Sequence, residues 1–306
     1  MPKEVEPSLN ERQFFAKALQ EDIRLDGRNF DQFRALELEF GDEYGVADVR
    51  LGNTRILTKI TSEVTTPYPE RPFEGIFTIL TELSPMAAPS FEPSRPSTTE
   101  LHLSRLLEKT LRRSGAIDLE SLCLISAQKC WSIRADVHVL SHDGNLVDAA
   151  AISVIAALQH FRKPDTSTEG ESVTVHTLKE REPVPLSLLH HPLCVTFSFY
   201  GEGVLGKEAA QEQDEKVLVD SCLLEEQLRE GAMTVGMNRH GEVCQIAKLG
   251  GVPVDALTIL HCVNVASVKV KEISKFIESR LQLDAKKRDK GGLIAELLSA
   301  ENDRAS

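Results

Sequence analysis

The stretch from Val147 to Phe161 constrains this chain more than any other. It sets Ala149, Ala150, Ala151, Ala156 and Ala157 among Ile152, Val154, Ile155 and Leu158, and its polar members, Asp148, Ser153, Gln159 and His160, do not gather on one side. Wound at a helical period, such a segment has no face for water and must be buried by the rest of the fold. The 306 residues leave room for that, about two domains at roughly 150 residues each. Hydrophobic residues at 41% and charged residues at 27% exclude collagen-like, coiled-coil and wholly disordered chains. No apolar run approaches the ~18 residues of a membrane span.

Alternation supplies the strands. Leu36, Leu38 and Phe40 alternate with Glu37 and Glu39, and Ala47, Val49 and Leu51 alternate with Asp48 and Arg50, with Gly41-Asp42 and Gly52-Asn53 as turns. Further strands run from Thr54 to Thr61, Gly75 to Glu82 and Trp131 to Leu140, the last with Trp131, Ile133, Ala135, Val137 and Val139 facing a core. Helical spacing appears first in Asn10 to Asp22, through Phe14, Phe15, Ala18 and Leu19. After a Pro/Ser-rich loop from Ala87 to Thr99 it returns in Leu101 to Arg113. There Leu103, Leu106, Leu107 and Leu111 share one side, Arg105, Lys109 and Arg112 the other, and Arg113 its edge.

The second half repeats this order loosely. It has a strand from Leu193 to Phe199, an acidic loop, a strand from Val217 to Val219, a short helix near Leu223 to Arg229, a hairpin around Asn238 to Gly241 and a long helix from Val254. These elements predict an α+β fold with an internal β/α pseudo-repeat, mixed sheets packed against helices. The expected segments are 1–30, an N-terminal helix and its flank; 31–165, the first half; 166–283, the second half with its terminal helix; and 284–306, a polar tail in which Leu293, Ile294, Leu297 and Leu298 could form a short helix.

Charge is unevenly placed. The formal net charge is -12, which argues against a protein that coats duplex DNA. Nine acids fall between Glu202 and Glu230 against three bases, whereas Leu101 to Ser114 carries four bases and Glu108 as its one acid, and Lys269 to Lys290 carries eight bases against four acids. An acidic body with confined basic stripes suggests a local nucleic-acid contact within a larger assembly. The N-terminus lacks a secretory core, and the six cysteines are never closer than seven positions, so free thiols in a reducing compartment are expected. Neighbours in an Asp-Gly turn, His142 and Asp143 are read as serving that turn. His190-His191 lacks further ligands at metal spacing and is read as loop, so no metal or cofactor is expected. Gly250-Gly251 lacks the lysine and hydroxyl of a nucleotide loop and is read as a tight turn.

Arg24-Leu25-Asp26-Gly27-Arg28 resembles the opening signature of the ribonuclease PH family. Gly52-Asn53-Thr54, Glu82-Leu83-Ser84-Pro85-Met86-Ala87, Arg112-Arg113-Ser114, Asp136-Val137-His138 and His142-Asp143-Gly144-Asn145 follow in that family's order. Glu182-Pro183-Val184-Pro185-Leu186, Leu218-Val219-Asp220 to Glu225-Glu226, Phe91-Glu92-Pro93 and the basic C-terminal helix resemble its branch in the ring of the eukaryotic RNA exosome, of the PM/Scl-autoantigen type.

The resemblance implies a hetero-hexameric ring of ribonuclease PH-like subunits, RNA-binding cap subunits, single-stranded RNA and associated nucleases as partners, and residence in nucleus, nucleolus and cytoplasm. In active relatives a Gly-Gly-Thr-Arg loop at the head of the buried helix holds the attacking phosphate. Here that stretch is Gly144-Asn145-Leu146-Val147, and neither leucine nor valine can donate. The family's second phosphate arginine aligns with Lys109, which lacks the fork, while the acid pair falls on Asp220 and Glu226. The resemblance thus implies a non-catalytic subunit whose Arg105, Lys109, Arg112 and Arg113 face RNA in the pore. An active phosphate-dependent 3′ to 5′ exoribonuclease is the alternative that the retained acids permit and the loop opposes. An unrelated metabolic enzyme on the same fold is a third reading, for which no substrate pocket is evident.

Overall fold

A computed structural model describes residues 6–92, 97–170, 172–177, 180–201 and 216–288. The apolar helix forms over Leu146–His160 (α3), with Ala149 to Leu158 at zero exposure. Its burial comes from two sheets: α3 packs on the second and third strands of one and on the central strand of the other. The architecture is α+β.

The first sheet is built from β1 (Leu36–Phe40), β2 (Val46–Leu51), β3 (Thr54–Thr65), β4 (Ile76–Leu83), β5 (Cys123–Ile125) and β6 (Lys129–Ser141), in the order β1-β2-β3-β6-β4, with β5 also on β6. All pairs are antiparallel except β4 with β6, whose connection passes through a helix, as a parallel crossover must. The alternating residues Trp131, Ile133, Ala135, Val137 and Val139 are all buried in the core. Two small ribbons follow, β7 (Arg162–Lys163) with β10 (Val184–Pro185) and β8 (Thr166–Glu169) with β9 (Ser172–Val175). The second sheet, β11 (Leu193–Tyr200), β12 (Lys216–Val219), β13 (Gly231–Met237) and β14 (Val243–Lys248), is antiparallel in the order β12-β11-β13-β14.

Helix α1 (Leu9–Gln20) starts at a capping box between Ser8 and Glu11. It buries Phe15 and Leu19 beside Tyr200, Leu218 and Leu228, and leaves Phe14 in solvent. Helix α2 (Thr98–Leu107) is capped the same way by Ser97 and Glu100, and Leu103, Leu106 and Leu107 are buried. The expectation of one regular helix to Arg113 needs correction. After Leu107 the chain widens into a π-turn over Glu108–Arg112, closed by the Arg113 amide on the Glu108 carbonyl at 3.1 Å. Short α4 (Leu223–Leu228) and long α5 (Ala256–Arg288) follow among the described residues.

The boundary placed at residue 284 also needs correction, because α5 continues to Arg288. Asp284 reaches His160 Nε2 at 3.1 Å. Arg288 donates to Asp284 and to the carbonyls of Gly41 and Asp42, and lies 4.7 Å over the Tyr44 ring. These residues look polar and free in sequence, yet each has a fixed partner on the first half. The remainder of the tail, the acidic residues Glu202 to Glu215, and Pro93 and Pro96 lie outside the described residues. No helix among the described residues is long and apolar enough to cross a membrane.

Candidate functional site

The fold brings the loop at the head of α3 onto the segment joining β12 to α4, so Gly144 to Val147 and the two expected acids form one site. Gly144 has φ +81°, and a Cβ there would come within 2.6 Å of the backbone of Ser221 and Cys222, so only glycine allows this approach. Asn145 caps α3 in the left-handed region at φ 52°. Its side-chain amide donates to Asp220 Oδ1 at 2.6 Å and Asp148 Oδ2 at 2.9 Å, and its backbone N–H donates to Glu226 Oε1 at 3.1 Å. Leu146 is buried and Val147 packs against the main core.

Asp220 is fully buried and saturated. Oδ1 accepts from Arg34 Nη2 at 2.9 Å as well as from Asn145, and Oδ2 accepts from the Arg34 backbone N–H at 2.7 Å, Arg34 Nε at 3.1 Å and Arg28 Nη1 at 3.0 Å. A carboxylate has about four lone-pair sites, so these donors leave none for a metal ion or a reacting proton. Burial opposes ionisation of Asp220, but the Arg34 guanidinium and the Asn145 amide outweigh it and hold the carboxyl below its ordinary range. Arg34 also donates to the carbonyls of Asp143 at 2.7 Å and Gly144 at 3.2 Å. Glu226 is engaged by Asn145 and by Arg229 Nη1 at 3.1 Å.

Sequence reasoning missed the partners of these acids. Arg24, buried to 1% exposure, forks onto Glu225 at 2.9 and 2.7 Å and donates to the Asp220 carbonyl at 2.6 Å. Asp148, fully buried, also takes the backbone N–H and hydroxyl of Thr196 at 2.9 and 2.7 Å. Burial pushes its carboxyl up to about 7, against those donors. One signal was present in the sequence, since a lone carboxylate in an otherwise apolar helix needs polar partners.

The basic residues sit elsewhere. Arg105 and Lys109 line an open groove of about 440 Å³ between α2 and β14, with His102, Leu101, Ala247 and Leu249. Arg112 and Arg113 are exposed, and Arg112 lies 3.6 Å from Glu108. The two regions connect through β11. Cys194 contacts Thr110 of the π-turn, and Thr196, two residues along, holds Asp148 at the head of α3. Their separation along the strand is about 7 Å.

His142, His190 and the Gly250-Gly251 pair lie in turns or loops, as their sequence readings expect. His142 Nδ1 accepts from the Gly144 N–H within its turn, His190 Nε2 meets the Ser114 carbonyl, and Gly250 and Gly251 have φ +77° and +79°. All six thiols are free, with Cys130, Cys194 and Cys262 buried. Among the described residues no group of three or more His, Cys, Asp or Glu is placed to hold a metal ion.

This geometry has known relatives. The family models for the 3′ exoribonuclease family match in both halves, domain 1 over residues 32–164 and domain 2 over residues 190–269. The chain is 48% identical over 305 residues to the exosome complex component rrp45 of Schizosaccharomyces pombe, covering 100% of both. It is 45% identical to exosome complex component RRP45 of Saccharomyces cerevisiae, covering 99% of both. Against RRP45 of Homo sapiens it is 43% identical over 99% of this chain and 66% of that protein. Among solved structures, a chain of the Archaeoglobus fulgidus exosome with RNA bound to the active site superposes with a TM-score of 0.73 at 27% identity, covering 87% of this chain and 97% of that one. An archaeal exosome core chain gives 0.71 at 25% identity, over 88% and 96%.

Proposed function

The chain belongs to the ribonuclease PH family of 3′ exoribonucleases, and from that membership we propose that it is a ring subunit of the RNA exosome that scaffolds RNA processing and degradation without turning over RNA itself. The observation that carries the non-catalytic part is the saturation of Asp220 by Arg28, Arg34 and Asn145. Phosphorolysis needs inorganic phosphate held in line with the scissile bond, with charge stabilisation aimed at the transition state. Here the loop offers Leu146 and Val147, and the acid that would support the reaction is consumed as a structural ion pair.

In this reading the chain sits beside other ribonuclease PH-like subunits in a hetero-hexameric ring, beneath RNA-binding caps, and associated nucleases degrade the RNA that passes through. Arg105, Lys109, Arg112 and Arg113 guide single-stranded RNA, for which exposed cations beside an open groove are suited. The sites of work would be nucleus, nucleolus and cytoplasm. The test is reconstitution: this chain with a ribonuclease PH-like partner should form a stable heterodimer that enters a ring. A soluble monomer that gains no stability from any such partner would count against it.

A further inference from the structure

The short hairpin leading into β6 sets two cysteines face to face. Cys123 on β5 and Cys130 on β6 are register partners across the antiparallel ladder. Directly opposed residues in such a ladder project to the same face, with Cα atoms about 4.5–5.5 Å apart. A disulfide bridges Cα separations of about 4.4–6.8 Å. Both thiols are free, and they differ in access: Cys123 is half-buried, and Cys130 is fully buried. The Cys123 sulfur has the Pro72 carbonyl at 4.0 Å as a weak partner. Burial, with the neighbouring Cys123, raises the Cys130 thiol pKa, so of the two it is the slower to react with an oxidant in solution.

We propose that Cys123 and Cys130 are a redox modification site that closes to a reversible disulfide under hydroperoxide. The Cys123 thiolate attacks one oxygen of hydrogen peroxide, the O–O bond breaks, the sulfur becomes a sulfenic acid, and the other oxygen leaves as hydroxide, which takes up the proton the thiol had given to solvent and becomes one water. Cys130 then loses its proton, its sulfur attacks the Cys123 sulfur, and the sulfenic hydroxyl departs as a second water. The two thiols give up two protons and two electrons, and the hydrogen peroxide takes them and ends as the two waters. The half-buried thiol meets the oxidant and the buried one resolves it. A shift of register between Cys123 and Ile125 gives the hairpin the local irregularity to absorb the bond. Gly75 approaches so closely that a Cβ there would clash with the Leu122 side chain and fall 2.8 Å from the Trp131 carbonyl, a close fit that holds the segment around the hairpin on the sheet.

The full chain, paired with its ring partner, is treated with hydrogen peroxide, alkylated, digested and mapped by mass spectrometry without reduction. The expected result is a linked peptide joining Cys123 to Cys130, lighter by two hydrogens than the separate thiols and fully reversed by dithiothreitol. In Cys123→Ser the Cys130 thiol should stay unoxidised at the same dose. Cys123 advancing to sulfinic or sulfonic acid while Cys130 stays free, or either sulfur bonding to a different cysteine, would overturn the proposal.

Discussion

Arg34 grips Asp220 through both carboxylate oxygens, Nη2 on Oδ1 at 2.9 Å and Nε on Oδ2 at 3.1 Å, while its backbone N–H closes the same carboxylate at 2.7 Å. The pair ties the segment after the opening signature to the junction of β12 and α4. Removing one partner of a buried pair leaves the other charge uncompensated, which costs about 3–5 kcal/mol. Asp220→Ala should therefore lower folding stability by that order, measured by denaturant unfolding. Asp220→Asn, which keeps one accepting oxygen, should lose less. A variant as stable as the parent would show that the clamp carries no structural weight.

Two buried carboxylates give opposite pH dependences. The Asp220 pKa is depressed, so its stabilising contribution is present above about pH 4 and is lost as pH falls through the folded value. For Asp148 the folded pKa is about 7 against an ordinary 3.8. The folded state then keeps a proton that the unfolded chain has released, and stability declines as pH rises between those values. Unfolding free energies of the parent and Asp148→Asn should draw apart in the parent's favour toward about pH 5 and lose that margin by about pH 7.5. A constant difference across this window would contradict the assignment.

How much of this was legible depended on how far apart the partners lie. Helix α3 could be read because fifteen residues without a polar face admit few other fates. That the side chains of Leu146 and Val147 have no hydrogen-bond donor was equally plain. The π-turn was not, because a slip from i+4 to i+5 hydrogen bonding leaves the apolar spacing of Leu103, Leu107 and Leu111 nearly intact. Asp220 could be read only as one of a retained acid pair, because its partners Arg28 and Arg34 are 192 and 186 residues away. The close approach that Gly144 permits lets the loop and the acids meet.

The basic residues give a prediction about RNA. Replacing Arg112 and Arg113 with Glu in the assembled ring should weaken threading of single-stranded RNA and lower the salt slope of binding by roughly 0.7 for each phosphate no longer neutralised. Both side chains are exposed, so ring assembly should survive. An unchanged slope, with unchanged protection of a long strand, would return them to ordinary solvated charges.

The end of α5 predicts where truncation begins to matter. Cutting after Arg288 keeps its bonds to Gly41 and Asp42 and its place over Tyr44, and the fold should keep its thermal midpoint. Cutting after Leu283 removes Asp284 and Arg288 together and exposes His160, and the midpoint should fall. Burial, with Arg288 nearby, pulls the His160 pKa down to about 4, so in the intact chain stability falls as pH drops from about 6.5 toward 4. The shorter chain should lose much of that slope.

The most direct test of the central claim is nucleoside diphosphate release from RNA by this chain, assembled with a ribonuclease PH-like partner whose own site has been disabled. The account predicts no release at any phosphate concentration, and none to lose in Asp220→Asn. Phosphate-dependent release that disappears in Asp220→Asn, with the complex still assembled, would contradict the scaffold reading and establish an enzyme.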